Sequence, residues 1–219
     1  MKNIFLLVCF IMIAGMTANA QVSARMFRTP DVSQTQIVFS YGGDIWIVDK
    51  MGGTASKLSS PSGAEGFPRF SPDGSKVAFS GNYDGNYDVY VIPNQGGVPT
   101  RVTYHGMGDR LVDWYPTGDQ LLYTSSRESG KQRFAQFYKV DAAGGVSEKL
   151  PMAYGEYGSL SADAKQIAFN ERSVLNDTWK RYRGGSNGNI WIFDLTTLAS
   201  TNITNTNAGC ELPMWHQDR

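Results

Sequence analysis

The sequence is poor in the groups from which most active sites are built. It has two histidines, His105 and His216, and two cysteines, Cys9 and Cys210. Isolated histidines, with no second His or paired Cys at metal spacing, supply neither a metal set nor the base of a nucleophilic triad. No metal and no cofactor is therefore expected; His105 reads as a loop residue, and His216 lies in the terminal stub and carries no signal. Neither sign of charge is in excess, with Lys+Arg 20 against Asp+Glu 20. That balance leaves no electrostatic footprint for nucleic acid or for an anionic membrane surface. Apolar residues at helical spacing are missing too: no repeated unit carries a 3.6-residue pattern of helix length. The one long apolar run, residues 4–13, is too short to span a bilayer comfortably.

That run belongs to a leader. Lys2 gives a positive start, and Ala18-Asn19-Ala20 places small residues ahead of Gln21. This is the layout of a secretory signal peptide over 1–20, cleaved after Ala20, which puts the mature protein in a periplasm or outside the cell. An uncleaved anchor is the alternative. Cys9 has no small residue before it, which speaks against a lipoprotein. After cleavage only Cys210 remains, so no intramolecular disulfide can form and stability rests on packing.

What the chain has in quantity is glycine and aromatics: 24 Gly, 11 Tyr, 11 Phe and 5 Trp. This fits an all-β protein of many turns and aromatic strands. Residues 67–103 show it best. Short β-rich runs at 67–70, 77–79, 89–92 and 98–102 are separated by Pro72-Asp73-Gly74, Asp84-Gly85 and Gly96-Gly97. Each separator is a turn signal. Four strands in a meander cannot bury both faces alone, and the chain repeats the unit. The third-strand aromatics Trp46, Tyr90, Tyr138 and Trp191 lie 44, 48 and 53 residues apart. Gly52-Gly53, Gly96-Gly97 and Gly144-Gly145 keep the phase, with Leu195-Thr196-Thr197 replacing the pair in the fourth unit. A repeat of about 40–50 residues with four strands per unit is the signature of propeller blades. The expected fold is thus all-β, a β-propeller of four-stranded antiparallel blades at roughly 25–62, 65–104, 109–153 and 157–204 of the 21–219 domain. A fifth blade starts at 211–219. Because propellers close with four to eight blades, the stub reads as the edge of a truncated ring.

The unit FSPDG–VAFS–DG–VYV–GG–RVT resembles the propeller repeat shared by TolB and the tricorn protease family. Residues 67–74 with 80–86 resemble the second tricorn blade. Residues 40–46 resemble its first, and Trp179-Lys180-Arg181-Tyr182-Arg183-Gly184-Gly185 resembles the insertion before its fourth-blade strand. The resemblance covers nearly all of the mature chain. It implies that the truncated ring is part of a six-bladed propeller, within a serine peptidase in which this propeller channels or filters peptide substrates and scaffolds a downstream propeller, a PDZ domain and a protease domain. The catalytic residues of that family lie on parts this chain lacks, so none is assigned here; a homo-oligomer is compatible with the resemblance. The runner-up is a TolB-like periplasmic propeller that binds protein partners without catalysis, and a third reading is a sensor or carbohydrate-associated propeller.

Three constellations remain. In the tricorn family adjacent arginines are proposed to hold the substrate's C-terminal carboxylate, and Arg's planar fork suits that task. This chain has no adjacent pair; Arg127, Lys131 and Arg133 in the blade-three loop are the candidate substrate-binding residues, against a solvated basic loop. Gly184-Gly185-Ser186-Asn187-Gly188 matches G-x-S-x-G, yet a nucleophile elbow needs a strand before it and a helix after it, so a hairpin loop is expected. Asn82, Asp84, Asn86 and Asp88 alternate oxygen ligands that could take Ca²⁺, although Asp84-Gly85 is also what a tight turn demands.

Overall fold

The structure, a computed structural model, describes residues 24–132, 134–173, 187–204, 206 and 209–216. Its strands form four separate antiparallel sheets, each of four strands in chain order. The first holds β1 (Arg28–Val32), β2 (Gln36–Tyr41), β3 (Asp44–Asp49) and β4 (Ser56–Lys57). The second holds β5 (Ala64–Phe70), β6 (Lys76–Asn82), β7 (Asp88–Pro93) and β8 (Thr100–Arg101). In the third are β9 (Asp109–Trp114), β10 (Gln120–Ser125), β11 (Gln136–Asp141) and β12 (Glu148–Lys149), and in the fourth β13 (Tyr157–Leu160), β14 (Gln166–Asn170), β15 (Ile190–Asp194) and β16 (Ser200–Asn202). These are four blades of a β-propeller. The helical content among the described residues is two three-residue 3-10 turns, Ala24–Met26 and Gly130–Gln132.

Strand alternation decides which neighbour each side chain meets. On β6, Val77 and Phe79 join a core with Val38, Ile45, Ile47 and Leu58 of blade one, while Ala78 between them joins the core shared with blade three. On β10, Leu121 and Tyr123 face blade two, and Leu122 faces Ile167 and Phe169 of blade four. Both faces of blades two and three are therefore covered, which is why their middle strands read as nearly continuous apolar runs. Phe79 and Tyr123 are 0% exposed, and each such side chain contributes about 1.5–3 kcal/mol by leaving water.

The turns are closed by their own side chains. Asp73 accepts hydrogen bonds from the Ser71 hydroxyl at 2.6 Å, the Ser75 amide at 3.0 Å and the Ser75 hydroxyl at 2.7 Å. Those donors hold its carboxyl at about 2, below the usual range. Gly74 follows at φ 72°. Blade four repeats the device with Asp163 accepting from Ser161 and Lys165, but Ala164 stands at φ 55° where the other blade has glycine.

One expectation is corrected. The fourth strand of blade two was expected over 98–102 and is only Thr100–Arg101. Gly96 and Gly97, at φ 87° and 134°, swing the chain clear of the sheet, and Val98 stands 87% exposed before the ladder starts. The Val102 amide still bonds the Val89 carbonyl at 2.8 Å. Residues 174–186 of the blade-four insertion, including Ser186 of the G-x-S-x-G match, lie outside the described residues.

A left-handed backbone with a Cβ costs about 1–2 kcal/mol, and glycine gives back about 0.5–1 in unfolded-state entropy. Ala164→Gly should accordingly stabilise the chain by roughly 0.5–1 kcal/mol, read as a rise in the urea midpoint without a change in slope. A lower midpoint would contradict this account of the turn.

Candidate functional site: the axial channel

The first strands of neighbouring blades contact one another, β1 with β5, β5 with β9 and β9 with β13, so they line the axis. Their sequences share a phase. Thr29-Pro30-Asp31-Val32 and Phe67-Pro68-Arg69-Phe70 superpose by register, with Leu111–Trp114 and 157–160 in the same places of blades three and four, and Leu212-Pro213-Met214-Trp215 repeats their sequence pattern. Thr29, Phe67 and Leu212, each preceding a proline, have φ 44°, 55° and 56°. In β1 and β5 that residue sits in a bulge, which bends the strand and re-aims side chains.

Each blade thus sends one polar residue towards the axis: Asp31, Arg69, Asp113 and Ser159. Asp31 accepts the Phe70 amide of the next blade at 2.7 Å, and Ser159 accepts the Trp215 amide at 3.3 Å. The Trp114 indole donates to the Arg69 carbonyl at 3.0 Å. Asp31 and Asp113 form part of a cavity of about 920 Å³ that opens on the face carrying the strand 1–2 and strand 3–4 hairpins. Phe70, Trp114, Asn94 and Lys50 also line it. Burial pushes the Asp113 carboxyl up to about 6, against the pull of Arg69.

Deeper along β9, Arg110 lies between two rings. Its guanidinium carbon is 4.1 Å from the Tyr157 ring centre and 5.5 Å from that of Phe67. It donates from Nη2 to the Glu156 carbonyl. Its Nε is buried with no partner, and among the described residues no carboxylate lies within ion-pair distance of it. Loss of hydration lowers its pKa. The Glu156 charge pulls the other way without reaching ion-pair distance, and a desolvated guanidinium stacked on aromatic faces is suited to receive a carboxylate.

The residues singled out from the sequence fall elsewhere. Arg127 Nη2 is 2.6 Å from Oδ2 of Asp109, whose carboxylate is buried, and its guanidinium lies over Tyr123 and Tyr138 at 5.3 and 5.0 Å. Blade two has the same construction: Glu65 accepts the Tyr83 hydroxyl, and Tyr83 packs on Tyr90 at 4.6 Å. Both pairs are 18 residues apart. Arg127 therefore fills the place of a packing residue, with its charge committed to Asp109. Lys131 is exposed in the 3-10 turn, and Arg133 lies outside the described residues. The oxygens of 82–88 turn to neighbours: Asp84 and Asp88 pair with Arg101 at 2.9 and 2.6 Å, and Asn82 accepts the Gly85 amide. His105 Nδ1 accepts the Met107 amide at 3.0 Å, and His216 is exposed. By itself a charged residue inside a strand, such as Arg110, carries no functional signal in the sequence. Aligning the first strands would have placed it on the axis.

A β-propeller whose first strands carry polar residues along the axis defines the class. The family of tricorn protease N-terminal beta propeller domains matches residues 24–219, and the chain belongs to that family. Tricorn protease homolog 1 of Streptomyces coelicolor is 32% identical over 168 residues, covering 75% of this chain and 15% of that protein. The chain thus spans a small part of that relative's length. Among solved structures, the tricorn protease matches with a TM-score of 0.71 and 24% identity over 84% of this chain and 19% of its own. TolB from Acinetobacter baumannii matches at 0.68 and 26% over 87% of this chain and 47% of its own.

Asp113 sets the pH response of this site. Its folded pKa of about 6 exceeds the ordinary aspartate value of 3.8, so the folded state binds the extra proton between those limits. Its contribution is thus fully present below pH 4 and is lost as pH rises through 6. Asp113→Asn should leave stability nearly unchanged at pH 4 and raise it by on the order of 2 kcal/mol at pH 7.5. Equal effects at both pH values in denaturant titrations would refute the assignment.

Proposed function

We infer that this propeller is the substrate-handling segment of an exported tricorn-like serine peptidase. It admits and filters peptides along its axis and scaffolds a catalytic portion that this chain does not contain. Arg110 carries the reading: a guanidinium held between Phe67 and Tyr157, at the axis, with no carboxylate partner among the described residues. Its fork would take the C-terminal carboxylate of a peptide, the role first given to the blade-three loop. Lys131 and Arg133 are retained as accessory contacts on that loop. Arg127 is the poorest of the three to test by deletion, because its loss would leave the buried Asp109 charge unpaired at about 3–5 kcal/mol.

In the full-length enzyme, Arg110→Gln should lower kcat/KM for peptides with a free C-terminus by roughly tenfold or more, the scale of a lost charge-assisted hydrogen bond. Amidated peptides should be cleaved at the wild-type rate. A uniform loss, or none, would remove Arg110 from the substrate path. Export is tested separately: the mature protein isolated from the periplasm or the medium should begin at Gln21.

A second reading, a TolB-like binding propeller without catalysis, draws on the 26% identity to the Acinetobacter protein. The reading frame beyond Arg219 separates the two, since only the peptidase continues into a serine protease domain.

A further inference from the structure

The cavity on the hairpin face is built by three blades, and its charges do not balance. Among its described lining residues Asp31, Asp73 and Asp113 are acids and Lys50 is the one cation. Asp73 is committed to its own turn, where it accepts from Ser71 and Ser75. Lys50 follows β3, two strands out from the axis, and is exposed. Asp31 and Asp113 stand on the first strands β1 and β9. Burial first and the nearby Asp31 charge second oppose ionisation of Asp113. Asp31 accepts the Phe70 amide at 2.7 Å, and Asp113 accepts the Trp114 amide at 2.9 Å. Among the described residues no Lys or Arg comes within ion-pair distance of either carboxylate. Arg69, on the strand between them, acts on Asp113 from beyond that distance, and its Nη1 donates to the Pro68 carbonyl at 3.0 Å.

Two acids that share a cavity and lack a close cation repel each other. A bound ammonium removes that cost, and its N–H groups donate to both. Phe70 and Trp114 line the same cavity, so an alkyl stem finds ring surface to lie along. A bare divalent ion is poorly served, because the described residues gather no set of three metal-ligating side chains. We propose that the cavity binds an alkylammonium group, with Asp31 and Asp113 taking the charged head and Phe70 and Trp114 the methylene stem. Its volume of about 920 Å³ is that of a small-molecule pocket. The group can arrive on a free polyamine or on a lysine side chain, and the chemistry that recognises it is the same. The inference is independent of the role given to Arg110, which lies on β9 but not in the cavity lining.

The test is isothermal titration calorimetry on the full-length protein at about pH 7.5. Its probes are spermidine, acetyl-Gly-Lys-Gly-amide, and the norleucine counterpart of that peptide, which keeps the stem and lacks the ammonium. At least one of the two amines should bind, and the norleucine peptide should bind about tenfold more weakly or not at all, the scale of a lost charge-assisted hydrogen bond. Asp31→Asn and Asp113→Asn keep an acceptor for the Phe70 and Trp114 amides, and each should weaken the amine by about five- to tenfold. Asp113→Asn is expected to be the more stable protein at this pH, so its loss of binding is not a loss of fold. Asp163→Asn, at an exposed turn of blade four, should change the affinity by less than about twofold. Binding of spermidine alone assigns the site to a free amine, and binding of the lysine peptide alone assigns it to a polypeptide side chain. Binding of both leaves the ammonium itself as the specificity. Equal affinity for the norleucine peptide, or no binding of either amine, overturns the proposal. So does unchanged binding in either cavity variant, or equal weakening by Asp163→Asn.

Discussion

Everything in this fold depends on sheets covering one another. A single blade exposes apolar side chains on both faces, and no α-helix is present among the described residues to shield them. Val77, Phe79, Tyr90 and Ile92 are dry because blade one lies over them, and Ala78, Val89 and Val91 are dry because blade three does. The contribution of each side chain therefore belongs to a pair of blades and not to the blade that carries it. At the axis the same dependence takes a polar form. Asp31 accepts an amide of the following blade, and Ser159 accepts one from the segment that follows blade four. Those bonds fix the angle between sheets that apolar contact alone would leave adjustable, because a hydrogen bond is directional where burial is not.

The repeat was legible because it is written in residues that local physics demands. Gly-Gly pairs mark positive φ, Pro-Asp-Gly marks a self-closing turn, and an aromatic marks each third strand. The length of the fourth strand was not legible. Val98 has β propensity, but the glycines before it decide where the chain can rejoin the ladder, and propensity does not register that constraint.

The site was legible only in part, for a different reason. Arg127 and Arg110 look alike in sequence, each within a short polar context. What separates them is whether a carboxylate waits across the fold. Asp109 meets Arg127, and among the described residues no carboxylate comes within ion-pair distance of Arg110. A signal did exist: Glu65 and Tyr83 have the spacing of Asp109 and Arg127, and a tyrosine in one blade where its neighbour has arginine marks that position as one of packing. Reading repeats against each other, and not only for their common phase, distinguishes a residue the scaffold requires from one it merely carries.

The same comparison bears on the strained backbone of β5. Phe67 has positive φ, and at a candidate channel such strain invites a functional explanation. Yet Thr29 and Leu212 adopt the same backbone before the same proline, at positions with different side chains. The strain is therefore a property of the repeat, which uses the bulge to turn the first strand along the axis. What is particular to blade two is the side chain placed on that bulge. Phenylalanine there meets Arg110 and Tyr157, where threonine or leucine would leave one side of the guanidinium bare. Function, on this view, enters the propeller by substitution at positions whose backbone the fold has already set, and the same logic places the acid Asp113 and the base Arg69 one blade apart on a single ring.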